Sequence, residues 1–252
     1  MKQKDYITIN SQSVDSWVKE GWEWGKPISH EDFLKAKEGK FKLFLTPYKK
    51  VPDDWIGNIK DKKVLGLAAG GGQQMPILKS LGADITLLDN SKEQVKTDEE
   101  FAQREGYKGT FIKGDMTERF PFKDESFDLI VNPISLVYVE DFLSVFKECA
   151  RVLKKGGVIL TGLDNGFNFA FDEETARIMF PLPFDPLKDK EQYDYMVKND
   201  YGIQFSHSLS EQLNGLLENG FRILNTYEDT NLFGKLKDFN IPTFMAVKAI
   251  KE

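Results

Sequence analysis

The stretch Lys63–Gln74, KVLGLAAGGGQQ, decides how the rest of the chain is read: a short apolar run breaks into three consecutive glycines and then two glutamines. An apolar run closed by turn residues reads as a buried strand. Residues 73–82, QQMPILKSLG, read as the helix that follows, stopped at Gly82. The same alternation continues downstream. DITLLDNS (84–91) predicts a second strand and SKEQVKTDEEFAQREGY (91–107) a helix with Ser91 as its N-cap. TFIKGDM (110–116) and FDLIVNPIS (127–135) predict the third and fourth strands. VEDFLSVFKECARVLKKGG (139–157) predicts a helix with an apolar stripe of Phe142, Val145, Phe146, Cys149, Val152 and Leu153, and VILTGLD (158–164) a fifth strand. Strands alternating with crossover helices describe an open, doubly wound α/β sheet.

The flanks differ in character. Residues 1–60 hold Trp17, Trp22 and Trp24 and several turn residues without a strand pattern, so they predict an appendage of helices and loops. The tryptophans read first as packing against the sheet, with a lid over a substrate as the alternative. Residues 165–205 contain three prolines and nine aromatics without clean periodicity, which predicts an excursion between the fifth strand and the rest of the chain. Residues 206–221 read as an amphipathic helix capped at Ser208 or Ser210, and RILNTYED with PTFMAVKAIK as a terminal hairpin. The simplest division is residues 1–60 as the appendage and 61–252 as one domain with an insertion at about 165–205.

Composition narrows the function classes. The chain has 252 residues, 40% hydrophobic and 13% aromatic, enough for a substantial core. A net charge of −6 argues against nucleic acid as the principal partner, because phosphate binding needs a clustered basic face. The single Cys149 excludes an internal disulfide and falls on the apolar stripe of its helix. No run approaches the roughly 20 apolar residues of a membrane span, and the N-terminus lacks the apolar core of a signal peptide. A cytoplasmic protein without a membrane partner is expected. His30 and His207 are the two histidines, each near a predicted helix start, and both read as structural. No spacing suggests a metal site or a hydrolase triad.

In a doubly wound sheet, ligands bind outside the carboxyl ends of the strands, and the first strand-to-helix turn lies at that crevice. Gly70, Gly71 and Gly72 occupy this turn. Glycines there allow left-handed backbone and close approach of a ligand, and the amides at the start of the following helix are expected to be free to donate to it. Asp89 ends the second strand 19 residues after Gly70, where this architecture places a carboxylate on ribose hydroxyls. Asp115 follows the third strand, where an acid can bind an exocyclic amino group beside the apolar face of Met116. Both acids also have a plainer reading as turn residues. Asp89→Ala is expected to weaken ligand binding while barely altering fold stability.

These segments, with VYVEDFLSVFKECARVLKKGGVIL closing the run, resemble the core of the class I S-adenosylmethionine-dependent methyltransferases. The resemblance covers about one hundred residues, and the last helix and hairpin extend it. It implies a Rossmann-like seven-stranded sheet with helices on both faces and an antiparallel last strand, and an insertion at about 165–205 that covers a substrate. It further implies S-adenosyl-L-methionine as cofactor: Ala68, Gly70, Gly71 and Gly72 along its methionine part, Asp89 on the ribose with Asn90 beside it, and Asp115 with Met116 at the adenine. Asn132 and Pro133, ending the fourth strand, face the reactive methyl. The sequence departs from the common pattern at Gly66, where an acid is usual, and at Ala68, where a glycine is usual. Gln73 or Gln74 is expected to compensate by hydrogen bonding.

The implied reaction is methyl transfer to a small-molecule acceptor by in-line displacement. Tyr138 and Asn132 are the residues singled out near the methyl, Asn132 equally as a strand-end residue, and no general base is identified. A cofactor-binding regulatory or scaffold protein without transferase activity stays open. So does a nicotinamide-dependent oxidoreductase, although neither a Gly-x-Gly-x-x-Gly nor a Tyr-x-x-x-Lys motif is present.

Overall fold

The computed structural model describes residues 5–252, so the first four residues of the expected N-terminal appendage lie outside the described residues. Three helices precede the sheet: α1 (Asp5–Lys19), α2 (His30–Lys37) and the single turn α3 (Asp53–Ile56). The alternating core follows as β1 (Lys63–Leu67), α4 (Gln74–Ser80), β2 (Asp84–Asp89), α5 (Lys92–Glu105), β3 (Thr110–Lys113), β4 (Phe127–Asn132), α6 (Phe142–Val152) and β5 (Leu153–Asp164). The insertion holds α7 (Phe167–Ala170), a small hairpin of β6 (Phe171–Asp172) and β7 (Arg177–Ile178), and α8 (Lys190–Lys198). The chain closes with α9 (Leu209–Glu218), β8 (Phe221–Asp229), α10 (Lys235–Asp238) and β9 (Phe244–Lys251).

Seven strands form one sheet in the order β3-β2-β1-β4-β5-β9-β8. The first five are parallel, and β9 runs antiparallel between β5 and β8. This is the doubly wound sheet with an antiparallel last strand that the sequence predicts. Neighbours β1 and β4 reverse the winding direction, which puts the crevice above their carboxyl ends.

The helix boundaries follow their caps. Ser91 accepts from the Gln94 amide at the start of α5, and Gly106 ends it in left-handed backbone. Ser208 and Glu211 form a capping box on α9, which settles the choice between Ser208 and Ser210. One boundary differs from expectation. Helix α6 stops at Val152 rather than running on to residue 157, because Leu153 turns extended and pairs with Phe127. Lys154–Gly157 bulge out before the register resumes at Val158, with Gly156 at φ +77°.

Two apolar layers sandwich the sheet. Phe142, Val145, Phe146, Cys149 and Leu216 pack one face from α6 and α9. Met75, Leu78 and Val95 pack the other, joined by Leu43, Leu45, Val51, Trp55 and Ile56 from the N-terminal segment. The tail of residues 1–60 therefore shares the main core. A third cluster ties α1 to the insertion: Tyr6 packs with Phe180, Phe184, Met196, Ile203 and Phe205, and Asn10 exchanges hydrogen bonds with the Ile203 backbone at 2.9 and 2.6 Å. The two flanks, far apart in sequence, thus form one cap over the crevice. No helix of the described residues is long and apolar enough to cross a membrane.

Candidate functional site

The glycine turn is pinned from behind. The Gly70 amide donates to Asp89 Oδ2 at 3.0 Å, Gly72 to Asp98 Oδ2 at 3.0 Å, and Gly71 to the Gln94 carbonyl at 3.3 Å. Two buried carboxylates and a helix carbonyl thus already use the amides of the glycine turn itself. Glycine is required here for packing and backbone angle. Gly71 and Gly72 have φ of +97° and +71°, and a Cβ on Gly71 would lie 2.5 Å from the Trp24 carbonyl oxygen. A Cβ on Gly72 would lie 2.6 Å from Pro27 Cβ. These two glycines seat the N-terminal segment, while Gly70 lines the cavity.

Gly66 and Ala68 have local explanations. A Cβ at Gly66 would collide with the Met75 sulfur, so the fully buried Met75 fills the volume where a side chain would stand. Ala68 sits at φ +47°, the backbone region that makes glycine the usual residue at its position. The glutamines line the cavity and commit their amide nitrogens to the N-terminal segment. Gln73 donates to the Glu23 and Lys26 carbonyls at 2.8 and 3.2 Å, and Gln74 to the Phe44 carbonyl at 3.3 Å. Both tie the N-terminal segment down to α4.

Above the strand ends lies a cavity of about 370 Å³, within the range of small-ligand sites. It brings together Ala68, Gly70, Gln73, Asp89, Asn90, Asp115, Met116, Pro133 and Tyr138 from the sequence reading. It also gathers residues that the sequence did not single out: Asn10 and Ser11 from α1, Phe44 and Thr46, and Asp164, Asn168, Phe169 and Gln204 around the insertion. Trp22 and Trp24 line it as well, whereas Trp17 packs on Trp22 and donates to Asp200 at 3.0 Å. No Lys, Arg or His lines the cavity among the described residues.

The acids carry internal roles too. Asp89 Oδ1 accepts from the Ser91 amide at 2.9 Å, and burial pushes its pKa up to about 6 against these hydrogen bonds. Asp115 Oδ1 accepts from the Thr117 amide and hydroxyl, both at 2.8 Å, so the turn role and a place on the rim coexist. Asn90 donates to the Ile7 carbonyl at 3.2 Å and its own carbonyl accepts from Ser11 at 2.7 Å, which straps α1 across the rim.

Asn132 is not in the cavity wall. It is 1% exposed, donates to the Leu67 carbonyl at 2.8 Å and to Ser135 Oγ at 2.7 Å, and accepts from Thr161 at 2.9 Å. Its side chain is committed to tying β1, β4 and β5 together, which removes the geometric basis for a cofactor or catalytic contact. Tyr138 does reach the cavity, and burial, helped by the Asp164 charge, holds its phenol above the ordinary range. His207 Nε2 donates to the Val139 carbonyl at 2.8 Å, buried against Phe142, and His30 pairs with Glu105 at 2.7 Å on the surface.

A Rossmann-like sheet with an antiparallel last strand and a glycine turn after β1 is the methyltransferase fold. Residues 65–161 match the family described as "Methyltransferase domain". Along nearly its whole length the chain is similar to the uncharacterized methyltransferase YbaJ of Bacillus subtilis (strain 168): 38% identity over 252 residues, 97% of this chain and 98% of that protein. The demethylmenaquinone methyltransferase of Thermotoga maritima is 35% identical over 114 residues, 44% of this chain and 48% of its own length. An S-adenosylmethionine-dependent methyltransferase structure from Mesorhizobium loti superposes with a TM-score of 0.60 at 19% identity, covering 78% of this chain and 94% of that one. The chain belongs to the methyltransferase family and is a methyl-transferring enzyme.

Proposed function

We propose that the cavity binds S-adenosyl-L-methionine along the ends of β1, β2 and β3 and aligns a small, partly apolar acceptor beyond it, at the ends of β4 and β5. The observation that carries this reading is the charge pattern at the ends of β2 and β3: Asp89 and Asp115 line the cavity, no Lys, Arg or His does so among the described residues, and the glycine amides are already bonded. Such a turn suits a ligand whose net charge is positive. A dinucleotide pyrophosphate would meet carboxylates where it needs free amides, which speaks against the nicotinamide reading.

The residues present fit the cofactor. Asp89 retains lone pairs for ribose hydroxyls, since each of its oxygens takes one backbone amide from Gly70 or Ser91. Asp115 Oδ2 accepts no hydrogen bond among the described residues and is available to an adenine amino group, with Met116 under the ring. Ala68 and Gly70 give the methionine part a wall without bulk. When bound, the cofactor supplies a methyl group already activated on a sulfonium. The chain's work is then to hold the acceptor in line with that bond and to exclude water. Residues 1–60 and the 165–205 insertion serve as the joint cover, because Trp22, Trp24, Asn10, Phe169 and Gln204 roof the cavity.

The relative named for demethylmenaquinone supports a small-molecule acceptor, and it matches only part of this chain. Calorimetry with S-adenosylmethionine and its demethylated product, with reduced nicotinamide dinucleotide as control, tests the reading. Binding of the first two and not the third is expected; binding of the dinucleotide alone would overturn it.

A further inference from the structure

Beyond the glycine turn the cavity runs toward the ends of β4 and β5 between apolar and aromatic walls that include Phe44, Ile134, Val137, Phe169 and Phe244. One acid stands among them. Asp164 closes β5, is 5% exposed and lines the cavity. Strand β5 lies two places from β1 in the sheet, roughly 10 Å away at the usual strand spacing, so Asp164 is on the acceptor side of the methionine subsite.

Its local bonding leaves an open position. Oδ1 accepts from the Gly166 amide at 2.5 Å, while Oδ2 receives only the Asn168 amide at 3.3 Å, a long contact. The Asn168 amide oxygen is itself occupied by Asn231 at 3.0 Å. Tyr138, whose phenol feels the Asp164 charge, has no hydrogen-bond partner for its hydroxyl among the described residues. A buried carboxylate without a counter-charge is unfavourable, and the cavity wall supplies none. An occupant of the cavity is the remaining source.

We propose that Asp164 selects the methyl acceptor, and that this acceptor carries a protonated amine on an apolar body and no anionic group. The inference rests on the methyltransferase reading of the cavity given above. An ammonium donates up to three hydrogen bonds, which matches the open Oδ2 of Asp164 and the unpartnered Tyr138 oxygen, while the flanking aromatic faces suit a cation. Burial lifts the Asp164 pKa to about 6, below neutrality, so the carboxylate stays mainly ionised when it meets the amine. A carboxylate- or phosphate-bearing acceptor would face Asp164 across a wall with no cation.

Three probes sharing one apolar body separate the possibilities: 2-phenylethylamine, 2-phenylethanol and 3-phenylpropanoate, titrated into the protein saturated with the demethylated cofactor product. The amine is expected to bind at least tenfold more tightly than the carboxylate, and Asp164→Asn to abolish that preference while leaving affinity for S-adenosylmethionine and its product within about twofold. Asparagine keeps an acceptor for the Gly166 amide, and retained cofactor binding reports that the variant is folded. Equal binding of amine and carboxylate, tighter binding of the alcohol, no amine binding up to 10 mM, or an amine preference that survives Asp164→Asn would each overturn the proposal. Loss of cofactor affinity in the folded variant would also overturn it, by assigning Asp164 to the cofactor. Failure of the wild type to bind cofactor would instead sink the reading of the cavity on which it rests.

Discussion

Asp89 holds the fold from within the wall of the proposed cofactor cavity. The sequence alone suggests that Asp89→Ala spares stability, but the carboxylate holds the Gly70 and Ser91 amides in a site 9% exposed. The variant is expected to lose roughly 1–3 kcal/mol of cofactor affinity and to melt at a clearly lower temperature, read by calorimetry and thermal denaturation on the same sample. An unchanged melting temperature would mean that the turn does not depend on Asp89. Asp98 is a second such residue, without a ligand role. It is fully buried under Gly72, its Oδ1 has no partner, and burial with the nearby Asp89 charge pushes its pKa from 3.8 up to about 8. A pKa raised in the folded state favours folding while the acid is protonated; that contribution is complete below about pH 4 and lost as pH rises through 8. Asp98→Asn should therefore gain stability relative to wild type between pH 5 and pH 9, measured by urea unfolding at both values. A constant difference across that range would contradict the shift.

The glycine turn and α1 behave as units whose parts come from distant sequence. Gly71 and Gly72 accommodate the Trp24–Pro27 backbone, and Gln73 donates to the Glu23 and Lys26 carbonyls, so the turn is the seat of the N-terminal segment. Gly71→Ala adds a methyl 2.5 Å from the Trp24 oxygen at φ +97°. It is expected to cost on the order of 1–2 kcal/mol or more from the backbone alone and to speed proteolysis within residues 20–28. Cleavage there at the wild-type rate would mean that the segment is held elsewhere. Helix α1 is fastened at both ends of the cavity: Asp15 accepts from Ser91 at 2.6 Å and Asn10 bonds the Ile203 backbone. That arrangement couples the cavity rim at Ser91 to the insertion through one helix.

On the scale of the whole molecule, this coupling predicts the response to ligand. A ligand that binds only the folded state stabilises it by about 2.7 kcal/mol at one hundred times its dissociation constant. Hydrogen exchange should slow together in α1, the glycine turn and residues 165–205 when the demethylated cofactor product is added, because all three line or clamp one cavity. Protection confined to the glycine turn would separate the cap from the site.

The order of strands and helices from Val64 to Asp164 was legible because it rests on local chemistry: apolar runs of strand length, the Ser91 cap, and glycines that end helices. The same holds for Asp89 and Asp115, whose places at the ends of β2 and β3 follow from strand spacing. What the sequence by itself determined is thus the doubly wound sheet, the glycine turn and the acids on its rim. Tertiary structure alone decided the rest. Met75 filling the volume beside Gly66, Asp98 under Gly72, Asn132 locked between three strands, and Asp164 and Tyr138 in one cavity wall all depend on residues brought together from separate elements. The cap of α1 and the insertion depends on pairs such as Asn10 and Ile203, 193 residues apart. Periodicity reports which face of an element is buried; it carries no record of which distant element buries it, and that pairing is what closes the cavity.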